Sequence, residues 1–81
     1  MESLFEYWLL PPGQEKRVEI PPRAVLFSAL GVGGTPILCA RRDDLIVGYG
    51  AEGEVRLRIV GDRLLNVGEV GITALYRLTA K

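Results

Sequence analysis

No histidine occurs anywhere in the 81 residues, and cysteine occurs once, at Cys39. The first absence removes the imidazole general base, the Cys-His and Ser-His-Asp arrangements and every His-ligated metal. The second removes an intrachain disulfide and leaves too few thiolates for a zinc or iron–sulfur site, in keeping with a reducing compartment. Excess charge of one sign is missing as well. Ten basic and ten acidic side chains cancel, so no global field draws the chain to nucleic acid or anionic lipid. No apolar run approaches the roughly 20 residues of a membrane span. The opening residues begin with an acid, Glu2, and carry no basic region before their short apolar stretch, which argues against a secretory signal. The expectation is a cytoplasmic, non-enzymatic protein without cofactor or metal, away from membranes and nucleic acid. Side-chain amides are confined to Gln14 and Asn66, and arginine outnumbers lysine eight to two. A GC-rich genome accounts for this bias, with a hot host as the second explanation because thermophiles lose labile amides.

What is present is turn chemistry at nearly every seam. The length allows one domain, spanning residues 1–81, that buries roughly 60% of its unfolded surface. Phe5–Leu10 is an aromatic-rich stretch stopped by Pro11-Pro12-Gly13, where proline presets one turn angle and glycine supplies the left-handed one. Arg17-Val18-Glu19-Ile20 alternates charged and β-branched residues until Pro21-Pro22 removes two ladder donors, which predicts an edge strand. Ala24–Leu30 is apolar on both parities except Ser28 and reads as a central strand; Gly31-Val32-Gly33-Gly34 turns it into a second two-faced segment, Thr35–Ala40. Leu45–Tyr49 follows a charged corner at Arg41-Arg42-Asp43-Asp44. Glu54–Val60 is the cleanest alternation, with Val55, Leu57 and Ile59 on one face and Glu54, Arg56 and Arg58 on the other. The final strand, Ile72–Thr79, puts Ala74, Tyr76 and Leu78 on one face and Thr73, Leu75, Arg77 and Thr79 on a mixed one. Helical periodicity is nowhere sustained, and a turn near Asp62–Asn66 is its best candidate. The pattern predicts an all-β fold of about six to eight short antiparallel strands, as a small barrel or a two-layer sandwich.

Few residues carry chemistry. Asp43, Asp44, Glu52 and Glu54 flank one hairpin and are the residual candidates for a hard-metal site, against the plainer reading of a solvated corner paired with Arg41 and Arg42. The Gly31–Pro36 stretch lacks the third glycine of a dinucleotide loop and the Lys-Ser/Thr of a P-loop, and it leads into a strand, so it reads as a hairpin turn. Cys39 and Ser28 lie in apolar strands without an adjacent base. Tyr7 and Trp8, with Phe5, read as core anchors, with a binding hot spot as the alternative. Arg56 and Arg58 share a strand face, and Arg41, Arg42 and Arg77 lie on candidate neighbouring strands, so a guanidinium cluster is the functional reading, because the planar fork takes oxyanions two bonds at a time. In the plainer reading these arginines keep an exposed face soluble by pairing with Glu54 and Glu19.

The order of several pieces resembles a family of small uncharacterised proteins encoded mainly by bacteriophages and prophages. The matching pieces are Phe5-Glu6-Tyr7, Val18–Pro21, Ala24–Ser28, Gly34–Ala40, Arg58–Gly61, Val67-Gly68 and Ala74–Tyr76. Cys39 stands where that family often has tryptophan, and Gly61-Asp62-Arg63 where it has Gly-Thr-Gly. The resemblance implies a phage accessory protein in the cytoplasm of a bacterial host, a host-takeover or anti-defence factor. It would bind a host protein or capture a small anionic ligand such as a nucleotide signal, with Arg41, Arg42, Tyr49, Arg56 and Arg58 as contacts. The alternative is an oligomerising virion or assembly component. Either way a homo-oligomer is expected, since edge strands pair across symmetry axes and two-faced apolar strands exceed what one small domain covers.

Overall fold

In the computed structural model, residues 2–78 are described, with backbone only for residues 2–8. They form eight strands: β1 (Glu2–Leu10), β2 (Glu15–Arg17), β3 (Leu26–Gly31), β4 (Pro36–Arg42), β5 (Leu45–Gly50), β6 (Gly53–Val60), β7 (Arg63–Asn66) and β8 (Ile72–Leu78). All seven pairings are antiparallel, in the order β1-β8-β3-β4-β5-β6-β7-β2. This is the expected all-β fold, built as one sheet curled into a nearly closed small barrel. Among the described residues there is no helix, and hence none long and apolar enough to cross a membrane.

The turns follow from local chemistry. Asp43-Asp44, Ala51-Glu52 and Gly61-Asp62 each link a hairpin through two residues. Gly61 takes a φ of +62°, and Asp43 takes +57°, a value that the short polar side chain of aspartate tolerates. The longer turn from β3 to β4 is closed by Gly31 N–H donating to Thr35 O at 3.2 Å and Gly34 N–H donating to Gly31 O at 2.9 Å.

Alternation fills the barrel. Phe27 and Ala29, Ile37 and Cys39, Ile46, Val55 and Leu57, and Leu64 are all buried on the inner face. A register shift between Leu30 and Gly31 on β3 lets both Ile72 and Leu75 of β8 reach the interior, three residues apart. That shift corrects the expected mixed face of the last strand, because Leu75 is fully buried; Thr79 lies outside the described residues.

The Arg17–Ile20 alternation is used differently from the expected strand. Pairing stops at Arg17, on the short edge strand β2, and Val18 and Ile20 are buried from the connection that follows. With Ala24 they join the core cluster, so residues 18–25 fold across one barrel end as an apolar plug. Val18 N–H donates to Asp62 O at 3.0 Å and Ala24 N–H to Pro21 O at 3.0 Å. The central strand therefore starts later than expected, and Val25 and Leu26 are exposed. β4 is one-faced: Leu38 points outward between buried Ile37 and Cys39. The Asp62–Asn66 segment is no helical turn: Asp62 closes the β6–β7 turn and Arg63–Asn66 are strand β7 itself. The aromatic side chains of Phe5, Tyr7 and Trp8 lie outside the described residues, although their backbones belong to β1.

Candidate functional site

The same alternation that fills the barrel dictates what its wall displays. Across β3, β4, β5 and β6, pairing places Leu26, Ala40, Val47 and Arg56 in one outward row. One step toward the β4–β5 turn, Arg42 pairs with Leu45 and Leu45 with Arg58. One step the other way stand Leu38, opposite Ser28, and Tyr49, opposite Glu54. Successive outward side chains on a strand are about 6.8 Å apart, so the three rows form a grid whose apolar part follows β4 and β5. Its basic part flanks β5.

A groove of about 560 Å³ opens on this face. Ala40, Leu45 and Val47 contribute apolar lining, and Arg41, Arg42, Asp43, Asp44, Tyr49 and Arg56 surround them. Four of the five arginine and tyrosine candidates thus meet at one concavity. Arg58 stands beside it on β6, against Leu45. Tyr49 is 76% exposed and Leu38 66% exposed. Arg56 lies 3.8 Å from Glu54, a long ion pair within its own strand. Arg42 and Arg58 enter no ion pair with the described residues, and neither does Glu19, so the expected solubilising pairs reduce to that one contact.

Arg41 has another task. It points to the opposite parity from Arg42, is half-buried, and donates from Nε to Asp43 O at 2.9 Å and from Nη1 to Pro21 O at 3.2 Å and Pro22 O at 3.4 Å. Its guanidinium is committed to the plug and the adjacent turn, leaving little capacity for a ligand. Arg77, on β8 opposite Phe27, is separated from β6 by β3, β4 and β5, so it does not join the cluster.

The remaining chemical candidates resolve simply. Asp43 and Asp44 sit at one end of β5 and Glu52 at the other, and no metal-sized group of three acidic or cysteine side chains forms among the described residues. The Gly31–Pro36 turn spends the Gly31 and Gly34 amides on its own carbonyls, and only a smaller cavity of about 160 Å³ opens beside it. Cys39 is 1% exposed. Burial pushes its thiol up to about 11, with a backbone hydrogen bond at Ala29 opposing the shift, so the thiolate that would react is scarce at neutral pH. Ser28 is buried.

Sequence reasoning located Arg42, Tyr49, Arg56 and Arg58 but missed Leu26, Leu38, Ala40, Leu45 and Val47, the apolar part of the face. The available signal was register: once Arg56 and Arg58 point outward, antiparallel pairing carries the same orientation to Leu45, Val47 and Ala40. Compared with family models, curated proteins and solved structures, the chain matches none.

Proposed function

We propose that the protein is a non-enzymatic binding protein that engages another protein through the outer face of β3–β6, in the manner of a phage accessory factor acting on a host protein. The observation that carries this reading is the exposure of Leu38 and Tyr49 beside Arg42 and Arg58, which lack an acidic partner among the described residues. Large apolar groups left in water beside a groove mark interaction surfaces, and tyrosine and arginine are over-represented where binding energy concentrates. A small anionic ligand is the weaker occupant, because it would leave the exposed surfaces of Leu38 and Tyr49 in water.

The test is affinity capture from bacterial lysate with the wild-type protein, a Leu38→Asp/Tyr49→Asp double variant and a Leu9→Asp control, since Leu9 is exposed on β1, which β8 separates from β3. Proteins held by wild type and control but lost from the double variant support the reading. Identical capture by all three would end it. Self-assembly is the second reading, favoured by β1 and β2 standing at the two ends of the sheet order, where unpaired edges invite another strand. Light scattering at rising concentration separates the two.

A further inference from the structure

We infer that the partner segment is extended and acidic, with two carboxylates at neighbouring alternate positions and a bulky apolar side chain at the next alternate position beyond them, in either chain direction. The inference rests on the binding face proposed above and names what that face selects. Along β5 the outward residues are Leu45, Val47 and Tyr49, one per row. The flanking side chains change character row by row: Leu45 lies between Arg42 and Arg58, and Val47 between Ala40 and Arg56. Tyr49 pairs with Glu54 in the row that also holds Leu38.

An extended segment lying along β5 presents every second side chain to the face at the same spacing of about 6.8 Å. Its first inward residue meets two guanidiniums without acidic partners among the described residues, and its second meets Arg56, whose contact to Glu54 is long at 3.8 Å. Carboxylates fit both places through charge-assisted hydrogen bonds. The third inward residue meets the exposed surfaces of Tyr49 and Leu38, where a further carboxylate would face Glu54. An apolar side chain fits there and removes exposed apolar surface from water. Shape agrees, since a groove of about 560 Å³ receives a narrow protruding segment, whereas a second copy of the same concave face would leave it empty.

The experiment uses the full chain and fluorescein-tagged eight-residue peptides read by fluorescence anisotropy. One peptide carries aspartate, aspartate and phenylalanine at alternate positions and glycine or serine elsewhere; a second has the reverse order. In a third lysines replace the aspartates, and in a fourth alanine replaces the phenylalanine. Saturable binding of the first or second is expected, weakened several-fold in the third and fourth and about tenfold by Arg56→Glu/Arg58→Glu. The double variant should melt as the wild type does, because both residues are exposed.

Equal binding of the lysine peptide, absence of binding by both aspartate–phenylalanine peptides, or displacement by ATP at equal concentration would overturn the inference, the last in favour of anion capture. A protein dimer that excludes the peptides would overturn it in favour of a second copy. If lysate capture depends on Leu38 and Tyr49 while the peptides ignore Arg56 and Arg58, the chemistry assigned to the partner fails and the face stands.

Discussion

Asn66 on β7 donates from Nδ2 to the carbonyl oxygen of Leu10 at the end of β1, 56 residues earlier, at 2.9 Å. The same amide donates to Val70 O at 2.9 Å, and its Oδ1 accepts from Gly68 N–H at 2.9 Å. Its backbone completes the junction, with Gly13 N–H donating to Asn66 O at 2.7 Å and Asn66 N–H donating to Gln14 O at 2.9 Å. β1 and β2 are the two ends of the sheet order, and the chain passes from one to the other through this turn. One fully buried amide therefore ties the β1–β2 turn to the β7–β8 loop where the barrel seam begins.

Replacing Asn66 by alanine strands two buried acceptors and one donor. Unsatisfied buried groups cost about 1–3 kcal/mol each, less whatever water recovers, so Asn66→Ala should destabilise by about 3 kcal/mol. Asn66→Asp should be no better at neutral pH, because a carboxylate cannot donate to Leu10 O or Val70 O. Urea unfolding midpoints measure both, and a loss below about 0.5 kcal/mol, the size of an ordinary surface substitution, would show that the amide is not the tie.

A second close approach lies inside the barrel. Gly48 pairs with both Cys39 and Val55, and a Cβ at Gly48 would stand 2.5 Å from Cys39 Sγ and 2.5 Å from Leu38 O. Gly48→Ala should cost about 1–3 kcal/mol by overpacking. Adding Cys39→Ala should recover only part of it, because Leu38 O is backbone and remains. Full recovery in the double variant, or no loss in the single one, would contradict this packing.

These two residues show where sequence reading stops. The period-2 pattern of Val55, Leu57 and Ile59 faithfully announced β6, since one wetted and one dry face leave a record at every second position. Gly48 left none: inside a strand it looks like any weak link, and its reason lies in Cys39, reached only through register. Asn66 is a lone polar residue whose partners lie at Leu10, Gly68 and Val70. Val18 and Ile20 alternate as a strand would, yet the same alternation also serves an extended plug that buries two side chains over a barrel end. For the site, arginine parity was legible on β6 itself, whereas the apolar companions from β4 and β5 depended on which strands became neighbours.

Cys39 gives a pH prediction. Its folded pKa is raised to about 11 from an ordinary value of 9.0. Above pH 9 the unfolded chain therefore binds fewer protons than the folded one, and stability falls as pH rises. The contribution is fully present below pH 9 and is lost between about 9 and 11, on the order of 2 kcal/mol at the end of that window. Comparing wild type with Cys39→Ala cancels the other groups that titrate there, so the alanine variant should lose less stability over this range. Parallel curves would refute the buried-thiol assignment. At pH 8 the native thiol should also resist a disulfide reagent that modifies the unfolded chain at once.

Arg41 and its neighbour Arg42 differ by one position and should differ in kind. Arg41 donates to three carbonyls, Asp43 O, Pro21 O and Pro22 O, and so pins the plug that carries Val18, Ile20 and Ala24 into the core. Hydrogen bonds to a charged group contribute about 1.5–3 kcal/mol when buried and less when exposed, which places Arg41→Ala near 2 kcal/mol of destabilisation. Arg42→Ala and Arg58→Ala remove outward guanidiniums without ion-pair partners among the described residues and should stay within about 0.5 kcal/mol. The plug also contains exposed Arg23, a trypsin site that becomes a reporter of local opening. Loss of the Arg41 contacts should speed cleavage after Arg23 by more than the global loss of stability explains, whereas the two outward variants should leave the rate unchanged. Equal cleavage rates in all three variants would mean that the apolar side chains hold the plug alone and that Arg41 is as free as Arg42 to meet a ligand.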